Sequence, residues 1–216
     1  MAITLERTSK AGLSRNGRHE PVWNIARFYP LQGDWTEEDY FSLERTSGNW
    51  MIELNDGCLE FPPMPDPFHQ DIVDFLFTAF KAFLKDRQFG RAYFAPLPIR
   101  LWAGQIREPD IAILGYHRLK NKRKAPDGAD LVVEIVSPGE EARERDLETK
   151  RREYAKAGIR EYWIVDPEER TITVLTLSGK SYRVHGVFEA GDEAASKLLK
   201  GFKVAVSGAF AAGEGK

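Results

Sequence analysis

Leu131-Val132-Val133-Glu134-Ile135-Val136 is the stretch on which the reading of this chain turns. It is apolar at every position but one, and Ser137-Pro138-Gly139 stops it. A short, nearly continuous apolar run of this kind suits a central strand covered on both faces. Glu134 is the anomaly. A carboxylate buried there without compensation costs several kcal/mol, so it needs an interior Arg or Lys, or a bound cation.

Upstream, Glu108-Pro109-Asp110-Ile111-Ala112-Ile113-Leu114 places Asp110 at the mouth of a second apolar strand. Period-two alternation puts Asp110 and Ala112 on one face. Taken alone, Asp110 also reads as a turn residue at a strand start. Taken with Glu134 on a neighbouring strand, it forms a pair of carboxylates able to converge. Mg²⁺ prefers oxygen ligands of this type and keeps several waters. Downstream, a charged helix is expected from about Glu141 to Ala157, closed by Gly158 at the C′ position. Asp146, Lys150 and Tyr154 share one face of it. By residue logic alone this is a solvated Asp–Lys pair. A lysine aimed at a bound phosphate would instead stabilise developing negative charge.

Further out, Asn55-Asp56-Gly57 between Trp50–Leu54 and Cys58–Phe61 is a hairpin signal. Glu53 and Glu60 alternate with apolar neighbours and are expected on its solvent face, with Glu53 a secondary candidate for the acidic site. Thr36 and Asp39 open a short helix with a capping box. Asp66-Pro67 caps a long helix to about Lys85, with Ile72, Leu76, Ala79, Phe80 and Phe83 on its apolar face. His69 near its start is a secondary candidate for metal or phosphate binding, the alternative being a surface residue. Strands are expected at Tyr93-Phe94, Leu97–Trp102, Pro109–Leu114, Tyr162–Val165, Thr171–Leu177 and Ser181–Phe188. The order predicts an α/β fold, a central mixed β-sheet flanked by helices. Residues 1–33 lack periodicity and read as an N-terminal arm; 34–216 read as one domain.

The chain has 216 residues, 42% hydrophobic and 30% charged, with a formal net charge of −2. That balance argues against a protein that coats DNA non-specifically, because phosphate contacts drive such binding. Local clustering must supply any attraction, and Lys120, Lys122, Arg123 and Lys124 form the candidate nucleic-acid-binding loop, expected beside the acidic cleft. Cys58 is the sole cysteine, which rules out an internal disulfide or Cys-rich zinc site and fits a reducing cytoplasm. No apolar run reaches the ~18 residues of a membrane span. Met1–His19 has no apolar segment of a secretory signal. No P-loop, GxGxxG after a strand, HExxH or GxSxG is present.

Taken together, Ile52-Glu53-Leu54-Asn55-Asp56-Gly57, Pro62-Pro63-Met64-Pro65, His69-Gln70, Pro109-Asp110, Val133-Glu134-Ile135-Val136-Ser137-Pro138, Asp146…Lys150…Tyr154 and Glu161–Pro167 resemble the Uma-type putative restriction endonucleases. The resemblance runs from about Asp34 to Phe210. It implies the PD-(D/E)XK nuclease superfamily and a restriction-endonuclease-like fold. It also implies Asp110 and Glu134 as metal ligands and catalytic residues. The superfamily's lysine two residues after the acid is replaced here by Val136. The resemblance implies that the lysine has moved to the following helix, where Lys150 is the catalytic candidate and Asp146 and Tyr154 are secondary ones.

The expected activity is a Mg²⁺- or Mn²⁺-dependent endonuclease, a hydrolase acting on DNA. The alternative is a catalytically inactive nuclease-fold module that binds nucleic acid or a protein partner, with a homodimer as a candidate assembly. Retention of both acids favours the first, Val136 and the net charge the second. An intact acid pair predicts that Mg²⁺ or Mn²⁺ raises the thermal unfolding midpoint in a concentration-dependent way. A midpoint insensitive to both metals points to the inactive module.

Overall fold

The structure, a computed structural model, describes residues 29–47 and 51–215. The elements named below all lie in one compact unit that begins at Gln32. The expected N-terminal arm, residues 1–33, lies almost wholly outside the described residues.

Helix α1 (Glu37–Ser47) opens with the expected capping box. The Asp39 N–H donates to Thr36 Oγ1 at 3.2 Å and the Thr36 N–H to Asp39 Oδ2 at 3.1 Å. Strands β1 (Glu53–Asn55) and β2 (Cys58–Glu60) form the hairpin. Its turn places Asp56 and Gly57 at positive φ, 46° and 78°, as a type I′ turn requires. At Gly57 a Cβ would also lie 2.3 Å from the Gly33 carbonyl oxygen. Helix α2 (Pro67–Leu84) starts where Asp66 accepts the His69 N–H at 2.9 Å.

Strands β3 (Gly90–Phe94), β4 (Ile99–Trp102), β5 (Gln105–Arg107), β6 (Ile111–Gly115) and β7 (Leu131–Ile135) follow. After β7 come helix α3 (Glu140–Glu144), a π-helical turn (Arg145–Thr149) and helix α4 (Lys150–Lys156). The single regular helix expected there is thus interrupted by one wide turn. Strands β8 (Glu161–Asp166), β9 (Thr171–Ser178), β10 (Ser181–Phe188), β11 (Glu193–Ala195) and β12 (Lys203–Ala205) lead to helix α5 (Val206–Gly213). The sequence reading missed β5, β11, β12 and α5. The three strands are each three residues long, too short for alternation to show.

The main sheet has the order β10-β9-β8-β7-β6-β3. It is mixed: β7 and β8 are parallel and the other pairs antiparallel. A smaller sheet, β2-β1-β5-β4, carries the hairpin, and β11 and β12 pair separately. Apolar side chains cover both faces of β7, as its composition demands. Leu131, Val133 and Ile135 pack with Ile72, Leu76 and Phe80 of α2. Val132 and Val136 pack on the other side with Tyr154 and Tyr162. Among the described residues no helix is long and apolar enough to cross a membrane.

Phe80 is fully buried at the centre of the α2 side. It stacks on Phe202 with ring centroids 4.1 Å apart and meets Trp163 edge-on at 5.5 Å. Phe80→Ala is therefore expected to cost about 3–5 kcal/mol, measured by guanidinium unfolding. A loss under about 1 kcal/mol would mean that this aromatic cluster repacks freely.

Candidate active site

The sheet register builds the site. Ile111 pairs with Val133 across β6 and β7, so Asp110, one residue before β6, stands opposite Glu134. Alternation then points both carboxylates to the face that carries Ala112 and Val132. Both line one cavity of about 210 Å³, together with Glu53, His69, Glu108, Arg145, Asp146 and Lys150. Asp110 is fixed by its neighbour strand, since its Oδ2 accepts the Ile135 N–H at 2.7 Å.

Helix α4 covers that face and supplies Lys150 and Tyr154. Lys150 Nζ lies 2.9 Å from Glu134 Oε2, 3.4 Å from Asp146 Oδ1 and 3.9 Å from Glu53 Oε1. The Tyr154 hydroxyl donates to Glu134 Oε1. Burial works against the charge on Lys150, but Glu134, Glu53, Asp146 and Asp110 outweigh it and hold the ammonium well above its usual range. Burial pushes the Glu134 carboxyl up to about 8; Lys150 pulls the other way, and Asp110, Asp146 and Glu53 add to the rise. Tyr154 is likewise raised by burial and by Glu134 and Glu53, so its proton stays on the hydroxyl.

Asp146 is buried, and its Oδ2 accepts the Ser137 N–H at 3.4 Å. The solvated Asp–Lys pair is thus corrected: both groups are buried, with Lys150 bridging Asp146 and Glu134 of the central strand. Glu53 also departs from its expected solvent face. It is buried, accepts the Glu108 N–H at 2.9 Å and pairs with Arg107 at 2.8 Å. The reason is β5, which pairs with β1 and brings Arg107 against it. His69 is not a free surface residue either, because its Nε2 lies 3.2 Å from Asp110 Oδ2. Burial lowers its proton affinity, yet the hydrogen bond and charge of Asp110, helped by Glu134 and Asp66, raise it overall.

The basic loop stands elsewhere. None of Lys120, Lys122, Arg123 and Lys124 lines the acidic cavity. Lys122, Arg123 and Lys124 line a separate groove with Arg100, Leu97 and Pro98. The loop joins the ends of β6 and β7 remote from Asp110 and Glu134, roughly 13 Å along the strands at about 3.3 Å per residue.

Residue reasoning missed Arg107 and Arg145. Arg107 is fully buried and meets three carboxylates, Glu53, Glu60 and Glu153. The one signal was its position in Ile106-Arg107-Glu108-Pro109-Asp110, directly before the candidate acid. Arg145 lines the acidic cavity beside Asp146.

Among the described residues no three His, Cys, Asp or Glu side chains are gathered so as to hold an ion by themselves. Two carboxylates that leave room for water are a donor set suited to Mg²⁺, which keeps several waters and takes one or two carboxylates.

The family model described as Uma2, putative restriction endonuclease, matches residues 37–207. Among solved structures the fold is similar to that of a putative nuclease belonging to DUF820 from Anabaena variabilis, with a TM-score of 0.67 and 18% identity over 83% of this chain and 99% of that one. The architecture is restriction-endonuclease-like. No curated protein matches the sequence.

Arg107 sets a measurable charge balance. In the native protein, Lys150, Arg107 and the Glu108 N–H offset the burial of Glu53 and hold its carboxyl below the usual value. That contribution to stability is present above the unfolded-state pKa and is lost as pH falls through the folded one. Arg107→Met leaves three acids around an apolar side chain and is expected to cost about 3–5 kcal/mol at neutral pH. The acids would then have raised folded-state pKa values, so between pH 7 and 5 the variant should regain stability relative to the native protein. Parallel pH profiles in denaturant titrations would refute this account of Arg107.

Proposed function

The chain belongs to the Uma2 family of putative restriction endonucleases, and from that premise we propose that it is a phosphodiesterase that cuts DNA with Mg²⁺ or Mn²⁺ held by Asp110 and Glu134. One observation carries the reading: two carboxylates from adjacent strands open on the same cavity, and a buried lysine reaches the second of them. The surrounding acids add to the fit. Glu53, Asp110, Glu134 and Asp146 all line the cavity, so negative charge outweighs positive there.

A divalent cation at these acids would supply Lewis-acid polarisation of a phosphate oxygen. The chain's own groups do the rest. The Ile135 N–H orients Asp110, and the Tyr154 hydroxyl and Lys150 ammonium fix both oxygens of Glu134. Attack on a phosphodiester builds negative charge on its oxygens, and a lysine that stays protonated stabilises it. Lys150 serves from the helix because Val136, on the same sheet face as Glu134, is packed with Tyr154 and Tyr162. The ammonium arrives on the face from which a strand-borne lysine would have come.

DNA as substrate is supported by the basic groove. The segment from Ala95 to Pro98 lines the acidic cavity with its first two residues and the groove with its last two. At most about 14 Å of chain separates them, so a single strand can span both. Affinity that falls steeply with salt, and less steeply after replacing the four basic residues with Ala, is the expected signature.

The decisive experiment incubates plasmid and single-stranded DNA with purified protein in Mg²⁺ or Mn²⁺, with EDTA as control. Asp110→Ala and Glu134→Gln should abolish cleavage, the second keeping the volume of a side chain that packs against Lys150. Lys150→Ala should slow cleavage by about 10²-fold or more, the scale for losing one charge-stabilising donor. Nicking that survives EDTA, or equal nicking by the native protein and Glu134→Gln, would sink the enzyme reading and leave an inactive nuclease-fold module.

A further inference from the structure

Resting on the nuclease reading, we propose that Arg145 is the phosphate-binding residue of this site, its guanidinium gripping the non-bridging oxygens of the phosphodiester to be cut. Three cationic side chains line the acidic cavity among the described residues: His69, Arg145 and Lys150. Two of them are committed. Lys150 is 5% exposed and lies within 4.0 Å of three carboxylates, and His69 leans on Asp110. Nearby Arg143 is spent as well, since both its terminal nitrogens bind Asp166, at 3.0 and 2.7 Å.

Arg145 differs. Its Nε donates to Asp146 Oδ1 at 3.1 Å, which anchors the head. Neither terminal nitrogen has a hydrogen-bond or ion-pair partner among the described residues. The side chain is 22% exposed. It lines both the acidic cavity and the adjoining groove of Glu53, Asn55, Phe61 and Thr149, so its free edge stands at a wall shared by two openings. A planar fork with its rear nitrogen pinned and its front pair unbound is the geometry that takes two oxygens of a phosphate.

The backbone is arranged to present it. In a regular α-helix, residues five apart point about 140° away from each other, at 3.6 residues per turn. The π-helical turn closes through the Lys150 N–H onto the Arg145 carbonyl. The wider turn brings Arg145 and Lys150 to the same cavity. Such turns inside helices recur at functional sites.

The test measures binding separately from cutting. Fluorescence anisotropy with a short labelled oligonucleotide in Ca²⁺ would compare the native protein, Arg145→Lys and Arg145→Ala, with the thermal midpoint of each as a check on folding. Arg145→Ala should weaken binding about tenfold, as expected for one charge-assisted contact. It should also lower the slope of log affinity against log salt by about 0.7–0.9, one phosphate's worth. Arg145→Lys should recover the salt slope but only part of the affinity, because the charge remains and the fork does not. An oligonucleotide with one neutral methylphosphonate at the cleavage position should bind the native protein more weakly and Arg145→Ala no more weakly than the natural one. If the native protein binds DNA and either arginine variant binds equally well, or if the two losses simply add, the assignment of Arg145 falls and the nuclease reading stands. If the native protein neither binds nor cuts DNA, both fall together.

Discussion

The Lys150 ammonium is the charge on which the acidic end of this sheet depends. It sits beneath the surface within 4.0 Å of Glu134, Asp146 and Glu53. Burying any of these groups alone would cost several kcal/mol. Together they compensate one another incompletely, since one cation faces three acids. Arg107 repeats the imbalance a short distance away, facing Glu53, Glu60 and Glu153. Glu53 belongs to both clusters and Arg145 also pairs with Asp146 at 3.1 Å, so three cations share five acids. Glu134, the acid of the central strand, lines the cavity, and its carboxyl is pushed up to about 8. A fold that leaves its acids short of cations at a water-accessible end is electrostatically prepared for a positive ligand.

The same arrangement explains why the supporting structure is stiff. Asp110 is tied to the β7 backbone, Asp146 to the Ser137 N–H, and the Tyr162 hydroxyl to the Asp146 carbonyl at 2.7 Å. Tyr162 in turn meets Tyr154 edge-on, with centroids 5.2 Å apart. These ties link strand, loop and helix, so Asp110 and Asp146 cannot relax outward without losing a hydrogen bond. Precision at the cavity is thus a property of sheet register and aromatic packing, both laid down by apolar residues that touch no substrate.

Much of this was legible in the sequence, for identifiable reasons. Glu134 stood out because an apolar strand leaves a charge nowhere to hide. The capping box at Thr36, the Asp56-Gly57 turn and the Asp66 cap each rest on local chemistry that tertiary contacts did not override. Asp146 and Glu53 misled residue logic because their burial depends on distant partners: Glu53 on Arg107, fifty-four positions along the chain, and Asp146 on a wide turn that helical spacing does not reveal. Strand β5 was hidden by its three-residue length, and the burial of Arg107 rests on carboxylates distant in the sequence. The basic loop was visible as a charge cluster, but a run of lysines carries no information about which end of a hairpin it occupies.

The position of Lys150 on α4 follows from what each element can bury. A lysine at position 136 would lie on the sheet face that Val136 now shares with Val132, Tyr154 and Tyr162. Its stem would compete with that packing, and its ammonium would start from a strand end fixed by the Val136 N–H bond to Val165 O at 2.8 Å. From α4 the same ammonium approaches Glu134 from below, and the hydroxyl of Tyr154, four residues on, reaches the other carboxylate oxygen. One helix face therefore supplies both a cation and a neutral donor to a single acid. The central strand stays apolar on both sides of Glu134, and the charge it needs comes from a neighbouring helix.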